Sequence, residues 1–189
     1  MCNTGTGVRV GTGGMFNEGS AVAMAKHDEE FLEFASARTS HLFRTAYLMS
    51  GDWHQAEDLV QETLGKVYSV WGRKRRIENP DAYAQTVLTR TFISARRKRS
   101  SRELPSSQLP EGEFHEADTS LRMTLLEGLA ALPPKDRAVL VLRFWEDRSV
   151  EEVAHIMGAS SGAVRTRTNR ALTRLRGALG DLLPDLALT

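Results

Sequence analysis

The stretch SVEEVAHIMGASSGAVRTRTNRALTRLR, residues 149–176, decides how the chain is read. Ser149 and Glu152 have the Ser-x-x-Glu spacing of a capping box, so a short helix opens at Val150 and carries Val153, Ala154 and Met157. Gly158 ends it, since a residue without Cβ accepts the positive φ of a sharp turn. A second helix from about Ser161 lines up Val164, Thr168, Ala171, Leu172 and Leu175. Small Ala154 permits a close crossing, and Val164 packs the second helix against the first, the layout of a helix-turn-helix. Arg165, Arg167, Arg170, Arg174 and Arg176 lie on that second helix, with no acid between Glu152 and Asp181. At about 100° per residue from Val164, the side chains of Thr166, Asn169, Arg170 and Thr173 point away from the core, flanked by Arg165 and Arg167. Such a helix fits a DNA major groove, where Arg reads guanine edges and Asn or Thr reads or positions. An ordinary solvated face mixes its charges more evenly.

Upstream, Leu121, Leu125, Leu129 and Leu132 form one helical stripe that Pro133-Pro134 ends, and Ala138, Val139, Leu142 and Trp145 fit a further helix. Before these, residues 103–118 hold five acids, two prolines and no Lys or Arg, the composition of a flexible linker. Such a linker can also fold back as a weak competitor for anionic ligands. The first half of the chain is helical again. Phe31, Phe34, Ala35, Leu42, Ala46 and Met49 form one stripe, broken at Ser50-Gly51. Asp52 caps a second helix whose apolar face is Trp53, Ala56, Leu59, Val60, Leu64, Val67, Tyr68 and Trp71. Asn79-Pro80 starts a third, with Tyr83, Ala84, Val87, Leu88, Thr91, Phe92 and Ala95 inward and Thr86, Arg90, Ser94 and Arg97 outward. The aromatic residues of these helices read as core before they read as base-stacking platforms.

No segment reads as a strand. The expectation is an all-α chain of two small helical domains joined by a flexible acidic linker: a leader over 1–26, a helical bundle over 27–102, the linker over 103–120, a helix-turn-helix domain over 121–180 and a tail over 181–189. Arg96, Arg97, Lys98, Arg99 and Arg102 add a second cationic surface suited to phosphates. The loop cations Arg73 to Arg76 fit a nucleic-acid contact or a solvated turn equally well. Asp58, Gln61 and Glu62 make a polar patch that is a solvated face unless a basic partner helix meets it.

Composition excludes much. Twenty-five Lys+Arg against 24 Asp+Glu leave a formal net charge of +1, so distribution and not total charge carries the information. Cys2 is the only cysteine, which excludes an internal disulfide and a Cys-rich zinc site. His27, His41, His54, His115 and His155 fall at no metal-ligand spacing. No nucleophile elbow, phosphate-binding loop or dinucleotide fingerprint occurs, so neither catalysis, cofactor nor metal is expected. No apolar run approaches the roughly 20 residues that cross a bilayer. A cytoplasmic protein without membrane insertion is the default.

Three segments resemble one family. RTAYLMSGDWHQAEDLVQETLGKVYSVW (Arg44 to Trp71), NPDAYAQTVLTRTFISARRKRS (Asn79 to Ser100) and LAALPPKDRAVLVLRFWEDRSVEEVAHIMGASSGAVRTRTNRALTRLR (Leu129 to Arg176) are similar to regions 2 and 4 of the extracytoplasmic-function (ECF) branch of bacterial sigma-70 factors, nearest the sigma-E-like actinobacterial subgroup. The resemblance implies a subunit that binds core RNA polymerase through the β′ clamp helices and β flap, recognises promoter DNA and helps open it, with an anti-sigma factor as a further partner. By residue match, Asp58, Gln61 and Glu62 meet the polymerase. Arg90, Ser94, Arg96, Arg97, Lys98 and Arg99 engage the −10 element. Arg165, Thr166, Arg167, Asn169, Arg170 and Arg174 read the −35 element. Arg90 stands where relatives commonly carry Asn, which puts base preference there in question. The competing expectation is a stand-alone helix-turn-helix regulator binding an operator as a dimer.

Overall fold

In the computed structural model the described residues are 18–71, 77–99 and 116–182, and all their regular structure is helical. Three helices form the first half: α1 (Glu18–Ser50), α2 (Trp53–Trp71) and α3 (Pro80–Arg99). Four form the second: α4 (Glu116–Ala130), α5 (Pro134–Leu140), α6 (Val150–Met157) and α7 (Ser161–Leu182). A π-helical turn, Val141–Trp145, continues α5.

The polar residues that open and close these helices do what their chemistry suggests. Asp52 Oδ1 accepts the Gln55 amide at 2.8 Å, and Asn79 Oδ1 accepts the Ala82 amide at 2.9 Å. Ser149 and Glu152 complete both arms of the capping box. Those hydrogen bonds, first the one from the Ser149 amide, hold the Glu152 carboxyl below its ordinary value. This contribution to stability is therefore full above the ordinary carboxylate range and is lost as pH falls through the lowered value. Gly51 at φ 72° and Gly158 at φ 61° each make a left-handed turn after a helix.

Helix boundaries extend beyond the sequence expectation at three places. Residues 18–26 belong to α1 and not to a leader, because Ala, Met and Lys follow Gly19-Ser20 and favour helix. Residues 116–120 belong to α4 and not to the linker, with Glu116 and Asp118 at the end where the helix dipole favours acids. α7 runs through Leu182, two residues into the expected tail. The remainder of the leader, linker and tail, and the loop cations Arg73 to Arg76, lie outside the described residues.

The core is continuous across the two halves. Leu42, Ala46, Met49, Val60, Val67, Leu88 and Phe92 fill the first, while Leu129, Val139, Leu142, Val153, Ile156, Val164 and Ala171 fill the second. Phe31, Phe34, Tyr68 and Trp71 close the end of the first bundle, with Phe34 and Trp71 centroids 4.9 Å apart. Tyr68 and Trp53 keep 43% and 39% of their surface exposed, so they seal the bundle's edge and do not sit within its core. Trp145, expected inward, is 49% exposed, as is its neighbour Phe144 at 61%. The wider π turn explains this: the Glu146 amide bonds back five residues to Val141 O at 3.0 Å, which rotates the following side chains off the helical register.

One arginine ties the halves together. Arg137, 3% exposed, donates to Met49 O at 2.8 Å and Ser50 O at 3.2 Å, at the end of α1. It also donates to Ala130 O at 2.5 Å and Leu132 O at 3.4 Å, at the end of α4. Carbonyls at the end of α1, at the end of α4 and in the turn after it thus share one guanidinium. Around it run further links between the halves. Glu146, its side chain 4% exposed, meets His41 at 2.9 Å and also bonds Thr45. Arg148 Nε donates to the buried Gln85 at 2.7 Å. Asp147, at φ 48°, makes the reversal that lets Glu146 and Arg148 reach opposite partners.

Arg137→Met keeps the aliphatic bulk and strands those carbonyls in the interior, where each unsatisfied group costs about 1–3 kcal/mol. The expected loss is about 4 kcal/mol, the low end for these carbonyls, a drop in Tm of roughly 10 °C by calorimetry. A variant melting within about 2 °C of the parent would show that the arginine is dispensable.

Candidate polymerase and nucleic-acid interfaces

The acidic ridge is a product of helical spacing. Asp58, Gln61 and Glu62 stand at i, i+3 and i+4 on α2, opposite buried Ala56, Leu59, Val60, Thr63 and Val67, and all three are exposed. Asp58 and Gln61 have no side-chain partner among the described residues. Glu62 is engaged by Lys66 at 2.6 Å, and Lys66 reaches across to Thr91 of α3 at 2.9 Å. Gln61 also borders a groove between α1 and α2 lined by Phe43, Arg44, Trp53, Glu57 and Val60.

On α3 the outward residues Arg90 and Ser94 are exposed and line a second groove with Glu62, Lys66, Val87 and Thr91. Arg96, Arg97, Lys98 and Arg99 form the last turn of α3, and their side chains lie outside the described residues. Arg90 is not idle. Its Nε donates to Ile156 O at 3.0 Å and its Nη2 to His155 O at 3.3 Å. These carbonyls end α6, the negative pole of that helix, and so attract a cation. The outward residue of the first half thus rests on the helix-turn-helix of the second.

α7 crosses α6 through Val164, which is 1% exposed, as its spacing predicts. Thr166 and Asn169 are exposed and have no side-chain partner among the described residues. Arg165 meets only Glu151 at 3.4 Å, with both side chains mostly in solvent. Arg167, Arg170 and Arg174 behave differently. All three converge on Asp136 of α5, at 2.6, 3.3 and 2.5 Å. Asp136 is 0% exposed. The six residues therefore divide into a solvent-facing set (Arg165, Thr166, Asn169) and a set bound to one buried carboxylate (Arg167, Arg170, Arg174). The absence of acids within residues 153–180 concealed this, because the balancing acid comes from another helix. Asp136 in the first turn of α5 reads locally as an ordinary dipole partner.

Two family models match the chain in order: "Sigma-70 region 2" over residues 36–102 and "Sigma-70, region 4" over residues 128–177. The RNA polymerase sigma-E factor of Streptomyces coelicolor is 38% identical over 152 residues, spanning 79% of this chain and 86% of that protein. The chain belongs to the sigma-70 family. The ECF sigma factor SigE of Mycolicibacterium smegmatis is 31% identical, over 85% of this chain and 64% of that one. Among solved structures, the Bartonella quintana sigma factor RpoE, in complex with the anti-sigma factor NepR, aligns with TM-score 0.63 at 26% identity, covering 80% of this chain and 95% of that one. No helix among the described residues of this sigma-70 relative is long and apolar enough to cross a membrane.

Because the Arg165–Glu151 pair is exposed, Arg165→Ala is expected to change unfolding free energy by less than about 0.5 kcal/mol in urea titration. A larger loss would place Arg165 in the fold and not on a free surface.

Proposed function

We propose that this chain is the promoter-selecting subunit of an RNA polymerase: it binds the core enzyme, directs it to −10 and −35 elements and assists duplex opening. The observation that supports this best is the presence of both sigma-70 regions, in order, on one chain. A stand-alone helix-turn-helix regulator would have no use for the first of them. The role is one of binding, without catalysis of its own, and its place is the cytoplasm, with the polymerase.

Asp58, Gln61 and Glu62 offer carboxylates and an amide to the basic β′ clamp helices, and the second domain offers a surface to the β flap. α3 engages the −10 element through Arg90 and Ser94, with Arg96, Arg97, Lys98 and Arg99 on phosphates. α7 lies in the major groove at the −35 element, with Arg165, Thr166 and Asn169 free to meet base edges and Arg167, Arg170 and Arg174 along one rim. Opening the duplex costs on average about 1.4 kcal/mol per stacked step, so α3 must hold separated strand as well as duplex. An anti-sigma factor is a further partner class, in keeping with the Bartonella complex.

The two DNA elements are about 25 base pairs apart by their names, roughly 85 Å along the duplex at 3.4 Å per pair. Arg90 and α6 are in hydrogen-bond contact. Both elements cannot be engaged while that contact holds, so the halves separate on the promoter.

Asp58→Lys with Glu62→Lys is expected to abolish assembly with core polymerase, read by size-exclusion co-elution, while circular dichroism stays unchanged. Intact assembly would remove the ridge from the docking face. Sequencing of transcripts made in vitro by core enzyme plus this chain is expected to show a defined set of starts sharing −10 and −35 motifs. Starts identical to those of core enzyme alone would overturn the function.

A further inference from the structure

We infer that Asp136 is a positioning residue for promoter reading: its buried carboxylate orders Arg167, Arg170 and Arg174 along one rim of α7 and withholds them from indiscriminate phosphate contact. The inference rests on α7 being the −35-reading helix.

Three observations converge on it. Asp136 is fully buried, and each oxygen is used: Oδ1 accepts from Arg167 Nη1 at 2.6 Å and Arg170 Nη2 at 3.3 Å, and Oδ2 accepts from Arg174 Nη1 at 2.5 Å. The arginines stand at i, i+3 and i+7, a single stripe beside the outermost residues Thr166 and Asn169. Their side chains remain 30%, 49% and 46% exposed, so part of each guanidinium still faces solvent.

A guanidinium carries five N–H donors in a rigid fork. Asp136 takes one from each arginine and leaves the others for a ligand. One fork would satisfy a carboxylate placed only for packing. Three cations on one anion instead leave a net positive rim whose geometry is set before DNA arrives. A flexible arginine binds whichever phosphate is near, whereas a held one presents its donors in one direction. The carboxylate also cancels one positive charge and so lowers attraction to any sequence. Arg165, paired only with exposed Glu151, has no such constraint.

The test uses the full chain assembled with core polymerase. Binding is measured on two promoter fragments, one with the −35 element intact and one with it scrambled, across a salt series. For Asp136→Asn the expected result is a roughly tenfold fall in the ratio of the two affinities, tighter binding to the scrambled fragment, and a log–log salt slope steeper by about 0.9, one added phosphate contact. Equal losses on both fragments would overturn the inference and leave Asp136 a structural residue. Arg165→Ala and Asn169→Ala run in parallel. If neither changes the ratio, α7 is not the reading helix; if they lower it and Asp136→Asn does not, only the role of Asp136 falls. Should Asp136→Asn fail to fold, Arg167→Gln, Arg174→Gln and the pair carry the test. Two arginines acting through one carboxylate change the ratio non-additively, and strict additivity would overturn the inference.

Discussion

The guanidinium of Arg137 is the point on which the two halves depend. Helices end with carbonyls that nothing inside the helix can satisfy, and burying such ends requires a donor from elsewhere. Here α1 and α4 end against each other, and one side chain donates to both. Gly51 allows this approach: its left-handed φ of 72° turns the chain beside Ala130 and Arg137, so that Met49 and Ser50 present their carbonyls to the guanidinium. Once these ends are fixed, α5 and its π turn lie along α1, and Glu146 and Arg148 fall within reach of His41, Thr45 and Gln85.

Cations suited to nucleic acid are also used within the molecule. Arg90 rests on the carbonyls of α6, and three arginines of α7 rest on Asp136. Two kinds of site satisfy them, with different consequences. Backbone carbonyls at a helix end are partial charges at a solvent edge, which phosphate or water can replace at little cost. A fully buried carboxylate is a whole charge that loses heavily if left alone, so its arginines stay in place. The structure therefore holds Arg90 loosely and the rim of α7 firmly.

Much of this was legible in the residues. Asp52, Asn79, Ser149 with Glu152, Gly158 and Val164 act locally, within a few residues of their partners, and each does what its spacing predicts. The outward set on α2 follows from helical period alone. The rest depends on contacts between distant residues. Nothing local marks Arg137 as buried; it closes the charged triplet Lys135-Asp136-Arg137, which reads as solvent-facing. Asp136 and the arginines of α7 are 31 to 38 residues apart, and His41 and Glu146 are 105 apart. Trp145 lies outward because the π turn breaks the 3.6-residue period that predicts it inward. The family resemblance gave Asp58, Gln61 and Glu62 a role that charge arithmetic alone would have assigned to solvent.

The seam between the halves is sensitive to point substitution, whereas the separation proposed on the promoter costs less per bond, and the same hydrogen bonds account for both. Substituting Arg137 in the closed molecule leaves buried carbonyls with no donor and no water, so the full desolvation cost appears. Separating the halves instead brings Met49 O and Ser50 O to solvent, while Arg137 keeps Ala130 O and Leu132 O within its own domain. Each bond broken this way exchanges a protein partner for water and costs only about 1 kcal/mol net. His41, Arg90 and Arg148 already lie partly in solvent and make a similar exchange. Opening also exposes the apolar contacts of α1 and α3 with α4, α5 and α6, a cost that an extensive polymerase or promoter interface must offset. The seam's polar links, laid over a core shared by both halves, fit the proposed change from a closed chain to one that reaches two separated DNA elements.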